Sequence, residues 1–363
     1  MSGPISTPLT YQNKSDLDSR SAGTYGQVIN DSISPDNNGY YVSNGAGWDP
    51  VPWFDQPAFG AVARFVQVKA QETFSVLDFG AVGGSHDDTL NFQAAVTALL
   101  AAGGGDLIIP WIAAGFYTID DGAIQLDNST YTTSAVHVIF QGGIIIKFNG
   151  TTGGNAITIT AGHGSTSPKH RITGGVFEAQ NAGMAGAGTC IWIEDCGSQV
   201  IDNVQAYGFD KAFAIHNFNY YSEHNTFMNC RAIGGKCAWW LSMDPGASKS
   251  MATTTWIACS AAPDTNSPIS PPDVWYGLFI DSNVSIYRAN FDGLTLFPAT
   301  DYAVGMACNG SISSARGKLN CEDNSGGTAA HTAGILLGPD ATGFSGHDIS
   351  SDLRGVTDNY VQS

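Results

Sequence analysis

The chain has 363 residues, a formal net charge of −17, only 15 Lys plus Arg, and 44 glycines. So few cations exclude a nucleic-acid binder, which needs basic patches to meet phosphates, and no run of 18 apolar residues exists to span a membrane. The glycine excess, against a usual share of about 7%, combines with abundant Thr, Asn and Ser to predict short strands joined by tight turns.

Residues 1–65 differ in texture from the rest and are expected to form a small separate module. The start, Met1 to Thr7, lacks the basic and apolar regions of a signal peptide, so a cytoplasmically made product is expected. A short helix is expected at Tyr11–Arg20. Asn37-Asn38-Gly39 is a turn signal leading into an expected strand at Tyr40-Tyr41-Val42. Gly45-Ala46-Gly47-Trp48 and Pro50-Val51-Pro52-Trp53-Phe54 follow. Ala58 to Gln71 is expected to be a linking helix.

Phe74 to Ile119 reads strand, glycine turn, helix, glycine stop, strand. Val76, Leu77 and Phe79 precede Gly80. Asp87 and Asp88 can cap a helix, because a short carboxylate accepts the open first-turn N–H groups. Leu90, Ala94, Val96, Leu99 and Leu100 recur at near-helical spacing, and Gly103-Gly104-Gly105 ends the run. One short helix among strands can plug the open end of a stack.

These residues resemble the entry motif of the pectate-lyase-like right-handed parallel β-helices, common in bacteriophage tailspikes. Asp78-Phe79-Gly80-Ala81, Asp87-Asp88-Thr89, Gln93-Ala94-Ala95, Ile109-Pro110 and Gly115-Phe116-Tyr117 match in order. His86 departs from the usual Thr, and Trp111 to Ala114 are inserted. The resemblance implies an all-β fold: a right-handed parallel β-helix with a short N-terminal capping helix and a small N-terminal module. It implies no particular activity. The Asn-Asn-Gly-Tyr-Tyr stretch also resembles small modules near the N-termini of phage fibres and spikes.

From about residue 135 the chain repeats. The first strand type recurs as Thr173-Gly174-Gly175-Val176-Phe177 and its equivalents. Its fourth residue gives Val176, Val204, Cys230, Cys259, Phe291 and Cys321, 26 to 32 residues apart and expected to stack inside. The fifth residue, from Phe177 and Gln205 through Arg231 to Glu322, is expected outside. The third includes Asn203, Asn229, Asn290 and Asn320, an expected amide ladder. The expected organisation is an attachment module over 1–65, an entry and cap segment over 66–134, the solenoid over 135–345, and a tail or cap over 346–363.

A second strand type follows each first. Ile193, Ile215, Trp240, Ile280, Met306 and Leu336 are expected inside. Trp192, Ala214, Trp239, Phe279, Gly305 and Ile335 then face outward beside Glu194, His216 and Asp281. Aromatic faces can stack on sugar rings, so Trp192, Trp239, Phe279 and His216 are the carbohydrate-binding residues expected. Glu178, Glu194, Asp195 and Asp244 supply the carboxylates for any acid–base chemistry. A subunit interface would explain the same outer face. The seven cysteines show no metal-ligand spacing and are expected to be buried thiols; no metal or cofactor is expected. The resemblance implies a phage virion appendage made in the host cytoplasm: a homotrimeric tail fibre, tailspike or collar fibre. It would join tail or neck proteins through residues 1–65 and meet a bacterial surface polysaccharide. The alternative is a polysaccharide depolymerase, a hydrolase or lyase.

Overall fold

The structure, a computed structural model, describes residues 73–127, 129, 133–150, 153–160, 168–180, 188–246, 250–264, 274–298 and 303–322, with further strands on either side. The chain forms two compact units, Met1–Glu72 and Thr73–Ser363. In the first, Leu9–Tyr11 runs parallel to Tyr25–Val28. Gly39–Ser43 and Trp48–Val51 then extend that sheet in antiparallel fashion. Trp53–Phe54 pairs with Arg64–Phe65. The expected linking helix therefore does not run through Arg64–Phe65. The helix expected at Tyr11–Arg20 lies outside the described residues, apart from Tyr11, which ends a strand.

The second unit is a parallel solenoid of about seven turns with one α-helix among the described residues, as the repeats predict. Each full coil contributes three strands. The first face runs from Thr73–Ser75 and Gly105–Ile109 through Arg171–Thr173, Val200–Asp202 and Thr226–Met228 to Thr255–Ile257. The second runs from Phe116–Ile119 through Val176–Ala179 and Gln205–Tyr207 to Ser260–Ala262. The third runs from Ile124–Asp127 through Thr189–Glu194, Lys211–Asn217, Cys237–Met243 and Trp275–Ile280 to Ala303–Cys308 and beyond. The first coil already lies within the entry segment. Residues 346–363, expected as a tail or cap, contain two further strands, Asp348–Arg354 and Asp358–Gln362, which pair in parallel with Arg316–Glu322 and Ala333–Leu337.

The helix, α1, spans Thr89–Ala101 and buries Phe92, Ala95, Val96, Leu99 and Leu100. Leu90 and Ala94, expected on that face, are exposed, because the buried stripe is set by Phe92, two residues beyond Leu90, with Ala95, Val96 and Leu99. Asp87 takes the cap role: its Oδ1 accepts from the Thr89 amide at 3.0 Å and the Thr89 hydroxyl at 2.6 Å. Buried Asp88 instead accepts from the Val82 and Gly83 amides and tethers the glycine turn. Gly104 has φ +93°, and a Cβ there would lie 2.2 Å from the Ala135 carbonyl oxygen, so only glycine lets α1 turn onto the sheet. Tyr117 is buried and donates to the Pro110 carbonyl; burial pushes its hydroxyl up to about 12.

Val204, Cys230 and Cys259 do stack in one interior: the flanking pairs Asp202, Met228, Ile257 and Gln205, Arg231, Ser260 are in register, and all three core residues are buried. The ends of that column need correction. Val176 pairs with Gln205, so Phe177 turns inward; Phe291 pairs with Trp256, and Cys321 with Leu296. At Val176 the match is one residue out of step. Elsewhere the five-residue repeat is two strands bent about a corner, and from Asn290–Leu296 onward the corner straightens into one strand, interrupted between Asp292 and Leu294. Asn203, Asn229 and Ala258 hold the corner with φ of 56°, 52° and 49°. Asn tolerates this left-handed region better than most residues, so these asparagines are corner residues and not rungs of an amide ladder. An amide ladder exists elsewhere, buried where the third face turns into the first. There Gln199 Oε1 accepts from the His170 amide at 2.8 Å, and Asn225 Oδ1 accepts from the Gln199 amide at 2.9 Å. All seven cysteines are buried. Burial pushes the Cys190 and Cys237 thiols up, Cys308 to about 11 and Cys321 to about 12, which removes the thiolate and leaves packing as their role.

Candidate functional site

The site is built on the outer surface of the third face. In a parallel stack the strands lie about 4.8 Å apart, so register partners form columns along the axis. One column reads Thr158, Trp192, Ala214, Trp240, Phe279, Ala307. Two residues along each strand, on the same side, the next reads Thr160, Glu194, His216, Ser242. These side chains face out because the intervening residues, Ile193, Ile215 and Leu241, are all buried in the core.

Trp240, not Trp239, belongs to the outer row. Trp239 is 0% exposed and stacks against Phe213 inside, with ring centroids 5.5 Å apart. The expected outward placement of Trp239 is thus corrected. Aligning Cys190 with Cys237 slips the strand by one residue, whereas Cys237 in fact pairs with Lys211. A one-residue slip sends every side chain to the opposite surface. The same slip put Trp240 inside; farther along, the true partners of Phe279 are Ala307, two residues beyond Gly305 and on the same side, and Leu336, one residue beyond Ile335, which pairs with Met306 and turns inward.

The aromatic row has local order. Trp240 and Phe279 lie with centroids 4.8 Å apart, and Tyr276 meets Phe279 edge-on at 4.9 Å. The Lys211 ammonium sits 4.6 Å from the Trp240 ring and 3.2 Å from the Asp210 carboxylate, which compensates its charge. Ala214 separates Trp192 from Trp240, leaving two coil spacings, roughly 10 Å, between the two indoles.

Beside Trp192 lies a polar cluster. The Trp192 Nε1–H donates to Glu194 Oε2 at 3.1 Å. The His216 ring lies 5.1 Å from the Trp192 ring. Its Nδ1 is 3.0 Å from Ser242 Oγ, and its Nε2 is 3.5 Å from Asp244 Oδ1. His216 and Ser242 are largely buried, whereas the Asp244 carboxylate is half exposed. The structure therefore brings Trp192, Phe279, His216, Glu194 and Asp244 to one surface.

Two expected carboxylates serve otherwise. Asp195 is buried, and its carboxylate accepts from the backbone amides of Phe218, Asn219 and Tyr220 at 2.9–3.2 Å. It anchors the turn after the His216 strand and is not open for proton transfer. Glu178 stands on the second face, between Lys147 and Tyr207 in register. Lys211, Trp240, Ser242 and Tyr276 escaped sequence reasoning. Placing Lys211 and Cys237 in one column, against the cysteine match, puts Trp240 and Ser242 outside; Lys211 and Tyr276 lie near the starts of their strands on the parity of the inward residues, so alternation gives no signal for them. Among the described residues, no group of three or more His, Cys, Asp or Glu is placed to hold a metal ion.

No family model matches the chain. A stretch of 70 residues, 19% of the chain, is 41% identical to mannuronan C5-epimerase AlgE2 of Azotobacter vinelandii and spans 7% of that enzyme. The same length is 41% identical to its AlgE3, spanning 4%. Among solved structures, the chain is similar to the ORF18 protein of Geobacillus virus E2, with a TM-score of 0.47 and 13% identity over 96% of this chain and 75% of that one. It is also similar to the tailspike of E. coli bacteriophage HK620 in complex with a pentasaccharide, with a TM-score of 0.47 and 11% identity over 85% and 68%.

Proposed function

We propose that the chain is a bacteriophage virion appendage whose third face binds a polysaccharide on the host surface. The observation that carries the glycan reading is the outward row Trp192, Ala214, Trp240, Phe279, with polar groups along one flank. Flat rings at coil spacing present apolar surface to sugar faces, and Glu194, His216 and Asp244 offer hydrogen bonds to hydroxyls. The net charge of −17 and the compensated Lys211 favour a neutral glycan over a polyanion. The resemblance of the entry motif to that of phage spikes supports the virion setting. It also supports assembly as a homotrimer and attachment to tail or neck proteins through residues 1–65.

A depolymerase is the second reading, favoured by one observation. Glu194 and Asp244 flank His216 two coils apart, a spacing of roughly 10 Å in backbone, near the roughly 6.5–9.5 Å used by inverting glycosidase carboxylates. The test is titration calorimetry of the full chain against purified host-surface polysaccharides, with product analysis of the same mixtures. Binding that falls about tenfold in Trp240→Ala and Trp192→Ala supports the glycan face. Binding unchanged in both variants removes it. New reducing ends that vanish in Glu194→Gln support the depolymerase.

A further inference from the structure

The cluster around His216 contains a constellation that glycan binding does not require. Ser242 Oγ lies 3.0 Å from His216 Nδ1, and Asp244 Oδ1 lies 3.5 Å from His216 Nε2. A carboxylate only accepts hydrogen bonds, so the carboxylate of Asp244 favours the tautomer with the proton on Nε2. Nδ1 then carries the lone pair, and the Ser242 hydroxyl donates to it. Hydroxyl, imidazole and carboxylate stand in the order in which a serine nucleophile, its base and the base's orienting group must stand, and such sets are recognised by geometry and not by position in the chain.

The fold explains how the three residues meet. His216 and Ser242 are register partners on adjacent third-face strands, so the stacking distance sets their approach. Asp244 follows the second strand by one residue, and its amide donates to the Asn217 carbonyl at 3.0 Å, which pins it across the end of the His216 strand. The Trp192 ring, 5.1 Å from the imidazole, closes one side of the histidine. Glu194 precedes His216 in the same column, but its carboxylate is taken by the Trp192 N–H, so the Ser242 side of the imidazole stays clear of it.

We infer that Ser242, His216 and Asp244 form an acyl-ester hydrolase site, acting on O-acyl groups carried by the sugar that stacks on Trp192. The choice of substrate rests on the glycan face proposed above; the chemistry of the three residues does not. In the first step the Ser242 Oγ bonds to the acyl carbon while its proton moves to His216 Nδ1. The bond from that carbon to the sugar oxygen breaks, and the sugar oxygen takes the proton from His216. Water then adds to the acyl carbon, giving its proton to His216. The acyl–Ser242 bond breaks, the proton returns to Oγ, and a carboxylic acid leaves. Ser242 and His216 are the catalytic residues. Asp244 is a positioning residue.

The test uses the full chain with two probes that carry no sugar: a fluorophosphonate, which labels activated serines, and p-nitrophenyl acetate. Expected is a single adduct mapped to Ser242 by mass spectrometry, with ester hydrolysis above the buffer rate. Ser242→Ala removes both, and His216→Asn lowers the labelling rate by roughly a hundredfold or more. Asp244→Asn slows labelling, and Asp244→Glu restores it, which a merely structural carboxylate would not do. Circular dichroism establishes that each variant is folded. No adduct at Ser242 in the folded wild type overturns the inference, as does hydrolysis undiminished in Ser242→Ala. Labelling at Ser242 in a wild type that binds no polysaccharide supports the serine chemistry and refutes only the glycan face.

Discussion

Trp239 and Trp240 are neighbours in sequence and opposites in structure. Trp239 stacks with Phe213 and meets Phe227 edge-on, and Phe227 stacks in turn on Trp256, which stacks on Phe291. That run of rings rises through the interior from coil to coil. Trp240 stands outside in a second row, against Phe279 and under Lys211. The two rows use the same residue types and the same stacking distance, and they differ in what they face. The inner row has exchanged water for neighbouring rings, so its energy goes into stability. The outer row is only partly covered, so part of its ring surface still meets water and remains for a ligand. Aromatic content therefore says nothing about function until each side chain is assigned to a surface.

The largest test of that contrast is to truncate each tryptophan in turn. Trp239→Ala is expected to cost about 3–5 kcal/mol through cavity formation, read as a lowered denaturation midpoint. Trp240→Ala is expected to cost under about 2 kcal/mol, since it loses only a surface stack and a cation–π contact. Equal losses would mean that the outer row is as buried as the inner one.

Acid probes the interior corner next. His170 is buried, its Nδ1 accepts from the Val136 amide at 3.0 Å, and burial pushes its imidazole down from 6.5 to about 4. The unfolded chain binds this proton more readily than the folded one. The stabilisation is therefore complete above about pH 6.5 and drains away as the pH falls toward 4, by about 3 kcal/mol in all. His170→Gln should flatten that part of the stability–pH curve, measured by chemical denaturation. A slope unchanged by the substitution would assign the acid sensitivity to other groups.

Asp195→Ala leaves three amides of the 218–220 turn without their acceptor. A loss of about 1–3 kcal/mol is expected, with faster hydrogen exchange confined to that turn. The smallest effect belongs to the corner column. Ala258 has φ +49° where the equivalent residues in neighbouring coils are Asn203 and Asn229. Ala258→Asn should raise the melting temperature slightly, for a gain below about 1 kcal/mol; a loss would show that the corner's side chain meets something an amide cannot accommodate.

The comparison also separates what could be read in advance from what could not. The solenoid was legible because a repeat near 28 residues and an entry motif are properties of order along the chain. Val204, Cys230 and Cys259 were legible as interior neighbours for the same reason. The outer face was half legible: Trp192, Phe279, Glu194 and His216 fall where strand alternation puts them. Trp240 and Ser242 did not, because matching Cys237 to Cys190 shifted one strand by a single position.

By itself, then, the order of residues determined the stacked parallel architecture, the capping helix and the cysteine-rich interior, since hydrophobic alternation and glycine stops act locally and repeat. Only the tertiary structure decided which of two adjacent tryptophans meets water, that Asp195 anchors a turn, and that Ser242, His216 and Asp244 converge. The physical reason is that register is a cooperative property of neighbouring coils. The lateral hydrogen bonds and the shared core select it together, and a slip of one residue reverses inside and outside along a whole strand.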